Sequence, residues 1–327
     1  MKSVLLIYKN EGLAPVFESE LQKAGYAVTP FFIHPINYAN FRWTDILEKK
    51  FRGAILRDNQ FVHRMYDRVF FRYCNKRLKE LSDQNMKFDY CLSVHGELAP
   101  ENVLSWAREV SGKMVDYQPD GISEKNEIRK YTKYYDQIFV FDPADITRYP
   151  ELKAKSATNF FIEDQQTSKE KFDFFYVGAL TDNRLQVLEN LYHHFKNKFS
   201  AKFILGASPY DRRNDTEAVK FIRSHTSYAE NLQMVKESRC LIDLKRPEHD
   251  GLSFRFFEAM NYNRKVITNN SSVKNYDFFH PDNIHITENF DDYNAIEVFM
   301  NRPVQEIPLE VKAQYAFKNW VNRLLNG

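Results

Sequence analysis

The sequence predicts an α/β protein of two domains, each built around a parallel sheet. Three observations lead there: short apolar, β-branched runs alternate with helical periodicity, the alternation breaks at a polar stretch and then restarts, and 327 residues suffice for two cores of ordinary size. With 43% hydrophobic and 15% aromatic residues the chain is too apolar to be disordered.

In chain order, residues 4–8 read as a strand, 14–24 as a helix with Val16, Phe17 and Leu21 on one face, and 27–33 as a second strand. Residues 41–86 turn helical and charged, with His63, Arg64, Arg68, Arg72, Lys76, Arg77 and Lys79 interleaved with Phe70, Phe71 and Tyr73. Strands return at 88–94, 113–116 and 137–141, separated by helical patterns at 101–110 and 124–135, so the first domain is β/α with a helical insertion. Residues 156–171 mix an apolar patch with the run EDQQTSKEK and form the linker candidate. Beyond it, 172–177 is strand, 184–199 helix, 202–205 strand, 228–236 helix, 241–244 strand, 253–260 helix and 265–268 strand. A last helix over 309–325 is placed to cross back to the first domain. The domains are therefore expected at 1–165 and 166–308, with 309–327 as a terminal helix.

The net charge of +2 gives no electrostatic case for nucleic acid. Cys74, Cys91 and Cys240 are scattered, odd in number and without a CxxC pair, which suits a reducing cytoplasm. The opening MKSVLLIYKNEG has too short an apolar run for a secretory signal, and no run approaches the roughly 18 apolar residues of a membrane span. The basic, aromatic helix around 62–80 has two readings: peripheral contact with anionic lipid, or a solvated amphipathic face.

Absences narrow the chemistry. No two of the ten glycines stand at i and i+2, so the GxGxxG dinucleotide turn is missing, and no GK[ST] marks a P-loop. No D-x-D pair exists to clamp a metal-bound nucleotide diphosphate, so no metal is expected. A phosphate here would be met by Arg, Lys, hydroxyls and helix N-termini.

The polar chemistry concentrates in residues 240–270, a strand, loop, helix, strand unit whose loop lies on the ligand-binding edge of such sheets. It carries Asp250, Gly251, Ser253, Arg255 and Glu258. Arg255 falls near the helix N-terminus, where amide dipoles already favour anions and a guanidinium can fork onto a diphosphate. Glu258, one turn on, is placed to accept two ribose hydroxyls; equally, Arg255 and Glu258 at i and i+3 make an ordinary surface ion pair. In the first domain, SVHGELAP follows a strand and sets His95 and Glu97 at its C-terminal end, with Gly96 permitting close approach of substrate. Either side chain would serve as a general base, and the alternative is a loop His beside a helix-capping Glu. Asp120 in QPDGIS reads as a turn-forming residue.

CLIDLKRPEHDGLSFRFFEAMNYNRKVITNN resembles the donor-binding segment of GT-B glycosyltransferases, specifically the CgeB-like and capsule or lipopolysaccharide transferases. DFFYVGALTDNRLQVL, YYDQIFVFDPADITRY and VKNYDFFHPDNIHI agree with three further stretches of that family, in the same order, over most of residues 113–290. The resemblance implies two Rossmann-like domains about a cleft, and a nucleotide-sugar donor (UDP, GDP, dTDP or CMP) as co-substrate, with no other cofactor. It implies a saccharide or lipid-linked glycan as acceptor. It places Arg255 and Glu258 on donor-contacting positions, and Asp250 where retaining families carry the first Glu of E-x7-E. Gly178 and Arg184 match the loop after the first strand of the donor domain, so that Gly178 lets backbone approach a phosphate and Arg184 neutralises it. Thr268 and Asn269 end a strand at the same edge, placed for phosphate or sugar hydroxyls. Asp120 stands where the family shows W-D-S, without the Trp, which makes it, beside His95 and Glu97, a further candidate for the base that an inverting transfer to a hydroxyl requires. Asp142 and Asp145 match as well, although Asp142-Pro143 also reads as a helix cap. A nucleotide-sugar epimerase of the same fold and a non-catalytic glycan- or nucleotide-binding protein remain the rival readings.

Overall fold

The computed structural model describes residues 1–9, 13–33, 41–55, 59–123, 127–164, 168–224 and 226–327. They form two compact units: Met1–Val140 with Arg148–Lys155 and Leu324–Gly327, and Phe141–Thr147 with Ser156–Arg323.

The first unit holds β1 (Ser3–Lys9), α1 (Ala14–Lys23), β2 (Ala27–Ile33), α2 (Trp43–Lys49), α3 (Asn59–Ser82), β3 (Phe88–Val94), α4 (Glu101–Val110), β4 (Ser111–Gln118) and β5 (Gln137–Val140). A π-helical turn at Lys50–Ile55 follows α2. Its sheet runs β2-β1-β3-β4-β5-β6, where β6 is the two-residue Lys155–Ser156, and the pairings from β2 to β5 are parallel. Pro30 sits inside β2 at no cost to the ladder because β2 is the edge strand. Val4–Ile7 and Cys91–Leu92 are fully buried, as expected for strands covered on both faces. Residues 127–135 depart from the expected helix: they form two 3₁₀ turns, Glu127–Lys130 and Thr132–Tyr134, and residues 124–126 of that expectation lie outside the described residues.

The second unit holds α5 (Ala144–Arg148, its last residue in the first unit), β7 (Phe172–Ala179), α6 (Asp182–Phe195), β8 (Ala201–Gly206), β9 (Val219–Ile222), α7 (Tyr228–Lys236), β10 (Ser238–Asp243) and α8 (Phe254–Asn261). There follow β11 (Lys265–Thr268), β12 (Ile284–Ile286), α9 (Tyr293–Asn301), α10 (Leu309–Tyr315) and α11 (Phe317–Asn326, its residues from Leu324 on in the first unit). Its sheet is β12-β11-β10-β7-β8-β9, all parallel, and the order reverses between β10 and β7. That reversal is the topological switch point, where open α/β sheets bind ligands beyond the carboxyl ends of their strands.

The stretch read as a linker behaves differently. Residues 156–164 pack into the second unit, where the Phe160 ring lies 4.5 Å from Trp320 and 5.0 Å from Phe317, and Trp320 Nε1 donates to Thr158 O at 2.7 Å. Residues 165–167 of it lie outside the described residues. The single helix expected over 309–325 is two helices, because Phe161 pairs with the backbone on either side of Ala316. Among the described residues, no helix is long and apolar enough to cross a membrane.

Candidate functional site

Each unit gathers polar side chains at the carboxyl edge of its sheet. In the second unit the hub is Asp243, the last residue of β10, which the sequence did not single out. Its buried carboxylate accepts from Ser253 Oγ at 2.7 Å, Thr268 Oγ1 at 2.8 Å and Arg255 Nη1 at 3.3 Å. Arg255 also donates to the carbonyl of Val177 on β7, and its guanidinium lies 4.8 Å over the ring of Tyr176. The fork therefore spans the switch point, held by a carboxylate, a carbonyl and an aromatic face, with part of its surface open. Burial raises the Tyr176 phenol, and its hydroxyl finds no hydrogen-bond partner among the described residues.

Around this hub the expected residues take specific places. Arg184 donates to Ala179 O and Leu244 O, both at 3.2 Å, stitching the loop after β7 to the loop after β10. Thr181 caps α6 by accepting from Arg184 N at 3.3 Å. Asn269 accepts from Lys245 N at 2.8 Å, and Lys245 in turn pairs with Asp250. Asp250 N donates to Asp142 Oδ2 at 3.0 Å, while Asp142 Oδ1 caps α5 through Ala144 N. That supports the capping reading of Asp142.

Packing accounts for two glycines, and one carboxylate differs from expectation. A Cβ at Gly178 would lie 2.5 Å from the Tyr176 hydroxyl, so this glycine makes room for Tyr176. A Cβ at Gly251 would lie 2.4 Å from the Phe141 ring, which explains the glycine in that loop by packing. Glu258 does not project outward: it is buried, with Asn231 Nδ2 at 3.3 and 3.4 Å from its oxygens, and the partner of Arg255 is Asp243. The reason is that α8 is covered all round: Phe256 to Met260, more than a full turn, are all buried beneath β10, β11, α7 and α10.

Burial pushes the Glu258 carboxyl up to about 7, with Arg255 pulling the other way. A carboxyl raised on folding keeps its proton longer in the native state, so stability falls as pH rises from about 4.5 to 7. Glu258→Gln is expected to remove that loss and to make the protein more stable than wild type at pH 8 by on the order of 2 kcal/mol, measured by urea denaturation. Equal stabilities at pH 8 and at pH 5 would contradict it.

The first unit brings its three base candidates together. His95 follows β3 with φ of 56° and ψ of 56°, a left-handed conformation unusual for a non-glycine residue and frequent at functional positions. Its Nδ1 lies 3.2 Å from Glu97 Oε1 and its Nε2 lies 3.5 Å from Asp120 Oδ2. Glu97 is tied inward by Gln118 Nε2 at 2.7 Å, whereas the Asp120 side chain is 67% exposed. Beneath them sits Asp116, another residue the sequence left unmarked. It is fully buried and accepts from Ser93 Oγ at 2.6 Å, Gly96 N at 2.9 Å and Gln118 Nε2 at 2.7 Å. Burial, then the charge of Glu97, pushes its carboxyl well up. Packing also requires Gly96: a Cβ there would meet Tyr135, Asp116 and Ser93.

Burial works against protonation of His95, but its bonds to Asp120 and Glu97 outweigh it and raise the imidazole to about 10. A base raised from 6.5 to about 10 on folding contributes stability that is fully present below pH 6.5 and lost as pH climbs towards 10. His95→Gln is therefore expected to flatten the decline between pH 7 and 10 relative to wild type in urea melts. An unchanged slope would mean that the imidazole is not held protonated.

No protein-family model matches the chain, and no curated protein sequence does. Solved structures match over essentially its whole length. The UDP-forming α,α-trehalose-phosphate synthase of Burkholderia xenovorans, in complex with glucose-6-phosphate, has a TM-score of 0.64 at 10% identity, over 99% of this chain and 100% of that one. An α-glucosyltransferase in complex with UDP and a 13-mer DNA containing a HMU base has a TM-score of 0.52 at 12% identity, over 98% and 94%. The UDP-GlcNAc 2-epimerase of Methanocaldococcus jannaschii, in complex with UDP-GlcNAc and UDP, has a TM-score of 0.50 at 12% identity, over 100% and 99%. At these identities the likeness defines the fold: α/β and GT-B-like, with two six-stranded sheets, as the sequence resemblance implied. The similar structures include nucleotide-sugar glycosyltransferases and an epimerase of the same fold.

Proposed function

We propose that this chain is a nucleotide-sugar-dependent glycosyltransferase of the CgeB-like, capsule and lipopolysaccharide group. It would move a sugar to a hydroxyl of a saccharide or lipid-linked acceptor in bacterial surface polysaccharide synthesis, in the cytoplasm and without a metal. The observation that carries the reading is Arg255, a partly open guanidinium fixed by Asp243 and Val177 at the switch point of the second sheet. A cation already oriented there meets a diphosphate with little reorganisation. Ser253, Thr268, Asn269 and Gly251 shape the surrounding loop, Arg184 braces it, and the half-exposed Asp250 carboxylate on that loop is the group assigned to the donor sugar. Glu258 supports the helix from below and reaches a ribose only if its carboxylate leaves the Asn231 amide.

In the first unit, Asp120 takes the proton of the acceptor hydroxyl. His95 holds that carboxylate in place, and Glu97 fixes the imidazole through Nδ1. The basic helix α3 supplies peripheral contact at the inner membrane. Support for the whole comes from the four sequence motifs in register and from the kind of enzymes that share the fold. The test is a thermal-shift screen against UDP, GDP, dTDP and CMP sugars, followed by a transfer assay with the stabilising donor. One nucleotide is expected to raise Tm, and the reading fails if none does.

The epimerase among the similar structures keeps a second reading in view. Incubation with donor alone separates the two, since an epimerase isomerises the sugar without an acceptor.

A further inference from the structure

Away from both polar clusters, the first unit has a cleft of about 720 Å³ between the edge strand β2 and the helix α3. The volume lies within the range of small-molecule sites. We propose that this cleft is a second ligand site, one that takes a phosphate-bearing molecule with a ring or acyl portion. The inference is independent of the donor reading, because none of its residues belongs to the second unit.

Charge comes first. Arg42 at the head of α2 and Arg72, Lys76 and Arg77 on one stripe of α3 line the cleft. Against these four cations stand two carboxylates. Asp45 accepts from Arg72 at 2.5 Å, and Glu80 lies 3.3 Å from Arg77 and 4.0 Å from Lys76. Among the described residues the four cations thus exceed these two carboxylates by two positive charges, which repel one another.

Pre-organisation comes next. Arg72 is anchored by buried Asp45, and Arg77 by both Glu80 and the carbonyl of Pro30 at 3.2 Å. Both guanidinium groups remain about a third exposed, so their orientation is set while donors stay available. A planar fork held this way suits phosphate oxygens.

The remaining walls are aromatic. Phe32, Phe41 and Tyr73 line the same space, which exceeds what a bare phosphate fills, so the ligand carries an apolar or ring portion beside its anion. Next to the cleft, α2 and the turn after it leave Trp43 72%, Leu47 55% and Phe51 57% exposed, so a lipid phosphate and a soluble phosphate ester are both admissible sources of the same chemistry.

The experiment measures binding of phenyl phosphate by calorimetry and of vesicles of phosphatidylcholine with and without phosphatidic acid by flotation. Wild type is compared with the double variant Arg42→Gln/Lys76→Gln, which removes the excess charge of two. Lys76 is 79% exposed, so the fold should tolerate its change, and circular dichroism checks this. Lys79→Glu, on the same helix outside the cleft, and Arg255→Ala, at the donor site, are the controls. Wild type and both controls are expected to bind, and the double variant to bind at least about tenfold more weakly. Binding of phenyl phosphate alone assigns a soluble ester, and binding of phosphatidic acid vesicles alone assigns a lipid headgroup. Absence of both in wild type, undiminished binding in the double variant, or equal loss in Lys79→Glu overturns the proposal. Because Arg255→Ala is among the controls, failure of the donor reading leaves this result intact.

Discussion

Gly96→Ala is expected to leave little folded protein. The added Cβ would lie 2.0 Å from the Tyr135 hydroxyl, 2.6 Å from Asp116 Oδ1 and 2.9 Å from Ser93 Oγ, each too close for any atom to remain where it is. None of the three is a free-swinging end. Tyr135 lies under the loop with its phenol raised by burial, Ser93 is fully buried, and Asp116 is held by three donors. Moving the Gly96 backbone instead breaks its 2.9 Å bond to Asp116 and drags His95 out of a left-handed conformation that the loop holds in place. Overpacking costs about 1–3 kcal/mol, and a buried carboxylate stripped of a partner adds a comparable amount. Together these approach the 5–15 kcal/mol that typically separates native from unfolded chains. The measurement is soluble yield and thermal melting by circular dichroism. Gly206→Ala is the tolerated control, since its Cβ meets nothing closer than 3.7 Å. A Gly96→Ala melting temperature within a degree or two of wild type would refute the account of this loop.

Much of the fold was readable because parallel strands buried on both faces leave nearly continuous apolar runs. β2, β3 and β11 match the ranges read from sequence. What escaped was short or decided by partners far along the chain. β9 and β12, at four and three residues, are too brief for any period to declare itself. The break at Ala316 has no glycine or proline to announce it; Phe161 imposes it by donating to Tyr315 O and accepting from Phe317 N. In the site, Arg255, Ser253 and Thr268 stood out as polar residues at a strand edge, yet the carboxylate that unites them did not. Asp243 sits in LIDL and Asp116 in MVDYQ, so both pass as strand interior. The available signal was a lone acid inside an apolar run, which buries a charge and must find donors. Glu258 was misplaced for a complementary reason: α7 and α10 close over the side of α8 that the sheet leaves open, and no local pattern encodes that packing.

Arg255→Ala is expected to abolish useful transfer and to weaken the protein at once, and the two losses have separate origins. The first follows from removing the fixed cation at the switch point, where a departing diphosphate would gather charge. Deleting one such preorganised donor typically costs about 10²–10³ in kcat. The second follows from Asp243, left with the hydroxyls of Ser253 and Thr268 as its remaining partners in a buried place. Loss of that charge-assisted contact is worth about 1–3 kcal/mol, read as a lower urea midpoint at constant m-value. Arg255→Lys tells the two apart. An ammonium restores a charge beside Asp243 but cannot at once reach the Val177 carbonyl and lie flat on Tyr176, so stability is expected to recover further than turnover. Full recovery of transfer by lysine would mean that the site needs only a positive charge there. Wild-type transfer by Arg255→Ala, with only the urea midpoint lowered, would make Arg255 a structural strut and remove it from the chemistry.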